Sequence, residues 1–350
     1  MNTITLAGTH YQTGFQWGSL LSARQHFILE HVPFPITQAR RDYAAACHPV
    51  YARYYPELLE ELRGLSDGQG CGEEELQAVL FSMYAIPPAC ACSCLAVAGG
   101  GETLFGRNSD FLVELEDYNT NVSCRFTDAG YAYTGSTTAF LEMEDGVNQR
   151  GLAAGLTSAW GVHIRPGFHV GLLLRWLLER CGTVEESLAA IRTLPLGSPF
   201  TLTLADAGGS VAVAEYDGMR LAVEQPRNPG VRFVCAVNAF HLPGMPSSPP
   251  GADNWQAGRR YATMRTALEG LDGPPTADFV KHLLSGRYGF LCQYDRSSGH
   301  DTVWSVACDL KRRRIFRSEG NPARLGYRAE ERFPEGASAS GWNRSAPFNQ

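Results

Sequence analysis

The sequence predicts an α/β protein: two β-sheets covered by helix pairs in a four-layer αββα sandwich, preceded by a helical leader. Three observations carry this. Apolar residues recur at helical spacing through the first ninety positions. An uncharged run from Leu76 to Gly101 then changes the texture of the chain. Beyond it, short strand-like runs alternate with two pairs of helical segments.

In the leader, Tyr11 to Val32 carries Phe15, Leu20, Leu21, Phe27 and Ile28 on one helical face. Tyr55 to Leu65 and Glu73 to Tyr84 read the same way, separated by Gly70-Cys71-Gly72. The uncharged run is long enough to span a membrane. Pro87-Pro88 breaks it near the middle, and Gly99-Gly100-Gly101 ends it as a turn. It therefore reads as a buried helix, a break and a buried strand. Cys94–Ala98 and Thr103–Phe105 flank the glycines as a hairpin. Strands follow at Val122–Phe126, Tyr131–Thr134 and Leu152–Thr157, then helices at His169–Glu179 and Val184–Thr193. Phe200–Ala205, Val211–Tyr216, Leu221–Glu224 and Val231–Val237 continue the sheets. Pro243 to Gly251 is a loop by composition. Helices at Gln256–Leu271 and Ala277–Leu284 precede a final hairpin, Thr302–Cys308 and Ile315–Ser318, turned by Lys311-Arg312-Arg313-Arg314. This divides the chain into a leader over 1–91, a catalytic sandwich over 92–336 and a polar tail over 337–350.

Composition narrows the function. With 350 residues, 44% of them hydrophobic, the chain can bury a sizeable core. A formal net charge of -6 lacks the basic footprint of a nucleic-acid binder. The N-terminus has no basic, apolar signal segment, so a cytoplasmic protein with reduced thiols is expected. Ten cysteines then read mostly as small buried residues.

Cys90, Cys92 and Cys94 stand in one short run. Zinc sites space their ligands differently and need partners elsewhere, and no second Cys/His pair supplies them. No metal or cofactor is expected. Cys92 and Cys94 share one face of a strand.

Four motifs follow one another in order. Ala91-Cys92-Ser93-Cys94-Leu95-Ala96-Val97, a glycine turn and Gly106-Arg107-Asn108-Ser109-Asp110-Phe111 form the first. The others are Gly8-Thr9-His10-Tyr11-Gln12-Thr13-Gly14, Gly146-Val147-Asn148-Gln149-Arg150-Gly151-Leu152, and Asp301-Thr302-Val303-Trp304-Ser305 with Asp309 and Gly320-Asn321-Pro322. Together they resemble the N-terminal-nucleophile cysteine hydrolases. That family includes penicillin V acylase, bile salt hydrolase and acyl-coenzyme A:6-aminopenicillanic acid acyltransferase, the last being nearest in layout.

The resemblance implies an enzyme that cuts the Ala91–Cys92 bond itself. It then cleaves or forms a linear amide through an acyl-cysteine. A free thiol has a pKa near ~8.5 and needs a base; the freed α-amine, near ~7.7–8.0, suits neutral pH. By position, Asp110 lies across the hairpin to hold the ammonium, and Arg107 pairs with a substrate anion or with Asp110. Asn238 donates to the oxyanion, with a backbone N–H near Thr157 as second donor. Arg260 takes a substrate or structural role. The implied partner is a small amide or an acyl donor such as an acyl-coenzyme A, with neither nucleic acid nor membrane. Serine after the nucleophile and alanine before it depart from the common pattern, and Cys90 stands second to Cys92 as nucleophile. Phe81, Tyr84, Trp160, Phe168 and Trp176 offer an apolar surface for an acyl group. Two alternatives stay open: an uncut thiol enzyme using His241 or His300 as base, and a non-catalytic binding protein on the same fold.

Overall fold

The computed structural model describes residues 1–84, 91–159, 163–247 and 255–334. The leader begins with a strand, β1 (Asn2–Gly8), and four helices follow: α1 (His10–Ala23), α2 (Gln38–Tyr54), α3 (Pro56–Gln69) and α4 (Glu73–Ser82). The hairpin β2 (Ala91–Gly99) and β3 (Glu102–Leu112) comes next, then β4 (Thr120–Phe126), β5 (Tyr133–Thr137), β6 (Asp145–Asn148) and β7 (Leu152–Ser158). After α5 (Val170–Arg180) and α6 (Val184–Thr193) run β8 (Phe200–Asp206), β9 (Val211–Tyr216), β10 (Leu221–Glu224) and β11 (Arg232–Val237). The chain continues through α7 (Ala257–Glu269), α8 (Ala277–Leu284), β12 (His300–Asp309), β13 (Arg314–Ser318), α9 (Pro322–Leu325) and β14 (Arg328–Glu330).

Eight strands form one sheet in the order β1-β4-β5-β6-β7-β8-β9-β10, and six form the other, β11-β2-β3-β12-β13-β14. Helices α1, α5 and α6 pack on the first sheet, α7 and α8 on the second, and the two sheets face each other. This is the expected αββα sandwich. The space between the sheets is filled largely by small side chains, Cys94, Ala96, Ala98, Ala153, Ala205 and Ala236 among them. Small residues let two sheets approach closely and leave little room for error in packing.

The leader is not wholly helical. β1 pairs in parallel with β4 at the edge of the larger sheet. Ile4 and Leu6 are buried while Thr3 and Thr5 are exposed, the period-two pattern of a half-buried strand. Helix α2 also went unpredicted. Its buried stripe is Arg40, Ala44, Cys47 and Tyr51, with Pro49 inside the helix, so its inner face shows little apolar signal. The predicted break at Pro87-Pro88 and the polar tail lie outside the described residues, as do Cys90 and Trp160.

Two features lock the leader down. Thr9 caps α1 in a reciprocal box: Gln12 N–H donates to Thr9 Oγ1 at 3.2 Å, and Thr9 N–H to Gln12 Oε1 at 2.9 Å. Helices α1 and α3 then meet through glycines, Gly14 and Gly18 on one and Gly64 and Gly68 on the other. A Cβ on Gly64 would sit inside the Tyr11 carbonyl oxygen.

A buried ion network joins the leader to the sandwich. Arg175 on α5 pairs with Glu61 on α3, and its Nε lies 2.8 Å from Glu179. His10 bridges Glu179 at 3.2 Å and Asp128 at 2.9 Å, and its ring stacks on Phe126. Burial pushes the Glu179 carboxyl upward, but Arg175 and His10 outweigh it and hold the group at about 2.

Two outcomes follow. Gly64→Ala forces α1 and α3 apart and should cost about 1–3 kcal/mol; an unchanged melting midpoint in calorimetry would show that the helices have room. Glu179 is depressed from its ordinary 4.5, so the unfolded chain takes up its proton first. The stability it contributes is present above about 4.5 and lost as pH falls toward 2. Glu179→Gln should therefore flatten the acid limb of stability against pH in urea titrations, and parallel limbs would refute this.

Candidate active site

The site forms where β2 is flanked by β3 on one side and β11 on the other. Gly100 and Gly101, with φ of 57° and 85°, make the two-residue turn that sets the β2–β3 register. That register places Cys92 opposite Ser109, Cys94 opposite Arg107, and Ala91 opposite Asp110. Paired residues share a face, so Cys92 and Arg107 point between the sheets while Asp110 points toward the α7–α8 layer. Asp110 thus stands one step off the predicted opposition to Cys92.

On the inner face, Arg107 is fully buried and every branch of it is held. Its Nη2 lies 2.9 Å from Cys92 Sγ and 2.9 Å from Glu144. Its Nη1 donates to Asp145 at 3.2 Å, and its Nε to the Leu156 carbonyl at 2.9 Å. Trp304 Nε1 donates to the same Asp145 oxygen at 2.8 Å. The predicted pairing of Arg107 with Asp110 does not form, because residues three apart on a strand face opposite ways.

On the outer face, Asp110 accepts from Thr302 Oγ1 at 2.6 Å and Tyr294 OH at 2.9 Å, with Arg260 at 3.7 Å. A bulge in β12 between Thr302 and Trp304 makes both contacts possible. One extra residue turns Thr302 to the Asp110 face and Trp304 to the Asp145 face.

Arg260 and Asn238 connect the two faces at the backbone of Cys92. Arg260 Nη1 donates to the Cys92 carbonyl at 2.5 Å and to Ser93 Oγ at 2.9 Å. Its Nη2 donates to Asn238 Oδ1 at 3.1 Å. The same Asn238 oxygen accepts the Cys92 N–H at 2.6 Å, and Asn238 Nδ2 donates to the Ser158 carbonyl at 2.9 Å. Thr157 Oγ1 donates to the Val237 carbonyl at 2.7 Å and so fixes the strand end that presents Asn238.

Burial pushes the Cys92 thiol up to about 11, against the pull of Arg107, whose charge Glu144 and Asp145 share. Burial also raises Asp110 to about 6, with Arg260, Thr302 and Tyr294 working to lower it. In the continuous chain the Cys92 nitrogen is an amide and holds no proton-accepting lone pair for the thiol. Neither predicted histidine takes its place. His241 stacks on Tyr261 at 3.6 Å and binds the Ala239 carbonyl, and His300 leans on Trp255 at 4.2 Å.

A largely apolar cavity of about 510 Å³ adjoins the site through Glu144, which lines it. Its other walls come from the leader, including Trp17, Phe34, Arg40 and Tyr84, and from Phe111, Thr138 and Phe140. Of the predicted apolar surface, Tyr84 lines this cavity. Phe81 and Phe168 are buried in the core, and Trp176 donates to the Tyr54 carbonyl. Sequence reasoning missed Glu144, Asp145, Tyr294 and Ser158. The signal for the first two was available: three acids at 142, 144 and 145 interrupt an otherwise apolar stretch.

Residues 97–324 match the family model of acyl-coenzyme A:6-aminopenicillanic acid acyl-transferase, well over half of the chain. The match contains Arg107, Asp110, Asn238 and Arg260 and begins five residues after Cys92. No curated protein matches the sequence. Among solved structures, a mutant conjugated bile acid hydrolase from Clostridium perfringens is similar at 17% identity and a TM-score of 0.45, covering 74% of this chain and 99% of that one. An N-acylethanolamine-hydrolyzing acid amidase ortholog from Caenorhabditis elegans is similar at 16% identity and 0.48, covering 68% and 99%. Penicillin V acylase from Agrobacterium tumefaciens is similar at 17% and 0.39, covering 65% and 82%.

Removing Arg107 strands two buried acids. Arg107→Gln should cost about 3–5 kcal/mol of stability. A shift below about 1 kcal/mol in urea unfolding would mean that Glu144 and Asp145 do not depend on it.

Proposed function

The chain belongs to the acyl-coenzyme A:6-aminopenicillanic acid acyl-transferase family, and on that premise we propose that it cuts itself before Cys92 and uses the freed cysteine on linear amides. It is an amide-acting enzyme of the N-terminal-nucleophile type. The observation that carries the finer reading is the double hold on Cys92: a guanidinium 2.9 Å from its sulfur and the Asn238 oxygen 2.6 Å from its nitrogen.

In the uncut chain, the Cys92 thiol attacks the Ala91 carbonyl carbon. The acyl group passes from nitrogen to sulfur as the thiol proton passes to the leaving nitrogen, and water hydrolyses the thioester. Ala91 is left with a carboxylate and Cys92 with an α-amine. That amine is the base the uncut chain lacks. It takes the thiol proton, and Arg107 stabilises the thiolate that forms. Asn238 Oδ1 keeps the nitrogen in place, and Asp110, backed by Arg260, supplies negative charge near the ammonium.

The thiolate then attacks the substrate carbonyl. Asn238 Nδ2, re-aimed from Ser158, donates to the oxyanion, a contact typically worth ~2.7–4 kcal/mol in the transition state. The ammonium protonates the leaving amine. An acyl-cysteine remains, and water or a second amine resolves it. Hydrolysis and acyl transfer differ only in that acceptor.

Intact mass under denaturing conditions tests the reading. Cutting before Cys92 should divide 38.2 kDa into about 10 and about 28 kDa, in proportion to 91 and 259 of 350 residues, and Cys92→Ala should stay whole. A wild-type chain that stays whole while hydrolysing amides would overturn the α-amine mechanism.

A further inference from the structure

Helix α2 carries its arginine on its buried side. Arg40 is 5% exposed and lines the cavity beside Glu144. Its Nη1 donates to Ser82 Oγ at 2.8 Å and to the Ser82 carbonyl at 3.2 Å, at the C-terminal end of α4. That contact places one nitrogen at the negative end of a helix dipole. The guanidinium packs on Phe34, with its carbon 3.7 Å from the ring centroid.

Glu144 shares the cavity wall but is engaged with Arg107 at 2.9 Å. Among the described residues Arg40 forms no ion pair, and its Nε and Nη2 have no protein acceptor. Burial lowers its pKa, and no acid acts against that. Among the described residues the other buried arginines all have a carboxylate within 4.0 Å, Arg260 with Asp110 and Arg317 with Glu330 at the longer end. Arg107 is paired with Glu144 and Asp145, and Arg175 with Glu61 and Glu179. A buried cation without a partner is costly unless something supplies the missing charge.

Nε and Nη2 form one edge of the guanidinium, the edge that binds the two oxygens of a carboxylate side by side. The cavity around it is mostly apolar and, at about 510 Å³, falls within the ~300–1,000 Å³ of small-molecule sites. Glu144, also on its wall, hydrogen-bonds Arg107, which in turn contacts Cys92 Sγ.

We propose that this cavity binds an amphipathic carboxylate, with the anionic group on Arg40, the apolar skeleton against the leader's aromatic side chains, and the amide toward Cys92. This rests on the proposed function and specifies its substrate class: a linear amide that bears, away from the scissile bond, a carboxylate on an apolar body. It also gives the leader a task after any cut, since Trp17, Phe34, Arg40 and Tyr84 all belong to it. Arg40 is the specificity-determining residue.

Binding tests this without turnover. Decanoate and decanol are titrated into the full-length Cys92→Ala chain, with Trp fluorescence and calorimetry as readouts. Decanoate should bind about tenfold or more tightly than decanol. Arg40→Met should abolish the difference while leaving decanol binding in place, and Arg40→Lys should keep part of it. Equal binding of the two probes to the Arg40 chain overturns the proposal, as does a preference that survives Arg40→Met. Should Arg40→Met fail to fold, the probe pair on the Arg40 chain and on Arg40→Lys still decides. No amide is cut in this assay, so its failure leaves the mass result standing, and failure of the mass result leaves the binding outcome readable.

Discussion

A guanidinium buried between two close sheets must find an acceptor in every direction, and much of the site follows from that demand. Arg107 arrives on β3 with no exposure. Glu144 and Asp145 bring the negative charge, Leu156 a carbonyl, and Cys92 a sulfur. These partners come from three pieces of chain: β2, the start of β6 and β7. Their convergence fixes β2 and β3 against β6 and β7 in one register. A slip of one residue in the β2–β3 pairing would put Arg107 and Cys92 on opposite faces of the sheet. The two-glycine turn is what prevents the slip.

The leader is part of the same folded body. It contributes an edge strand to the larger sheet, four glycines to the close contact of α1 with α3, and His10 and Glu61 to the ion network around Arg175. A cut between Ala91 and Cys92 would break one bond and leave all of those contacts in place. On this reading the two fragments stay associated, because what holds them is burial and paired charge rather than the peptide link.

The alternation of strands and helices beyond Leu152 was legible because each run is short, apolar and bounded by turn residues; α6, β9, β10 and α8 fall where the pattern puts them. The family-like motifs were also legible, but the structure shows how much of them is scaffold. Thr9 and Gln12 cap a helix, and Gly14 admits a neighbouring backbone. Asn148 holds the Leu178 and Cys181 carbonyls at 2.7 Å, and Asn321 ties Asp301 to the Cys292 carbonyl. What stayed hidden was hidden for physical reasons. Helix α2 buries an arginine and an alanine where an apolar stripe is sought. The bulge in β12 depends on the partner strand, which local sequence cannot reveal. Glu144 and Asp145 reach Arg107 only after β5 to β7 fold, across 37 and 38 residues of chain.

The state of Cys92 explains why a cut would matter. In the continuous chain its sulfur is buried, its pKa stands at about 11, and its nitrogen donates its one hydrogen to Asn238. Arg107 alone cannot bring the thiol to the thiolate near neutral pH, since Glu144 and Asp145 already draw on the same charge. An amine at position 92, left by the broken bond, would supply a base at the next atoms along the chain and shift that balance. Asn238 accepts from the nitrogen, Arg260 holds the Cys92 carbonyl and faces Asp110, and Arg107 faces the sulfur. On the proposed reading the uncut site acts on its own Ala91–Cys92 bond, where the leaving nitrogen takes the thiol proton, and it gains a base for other amides only from that cleavage.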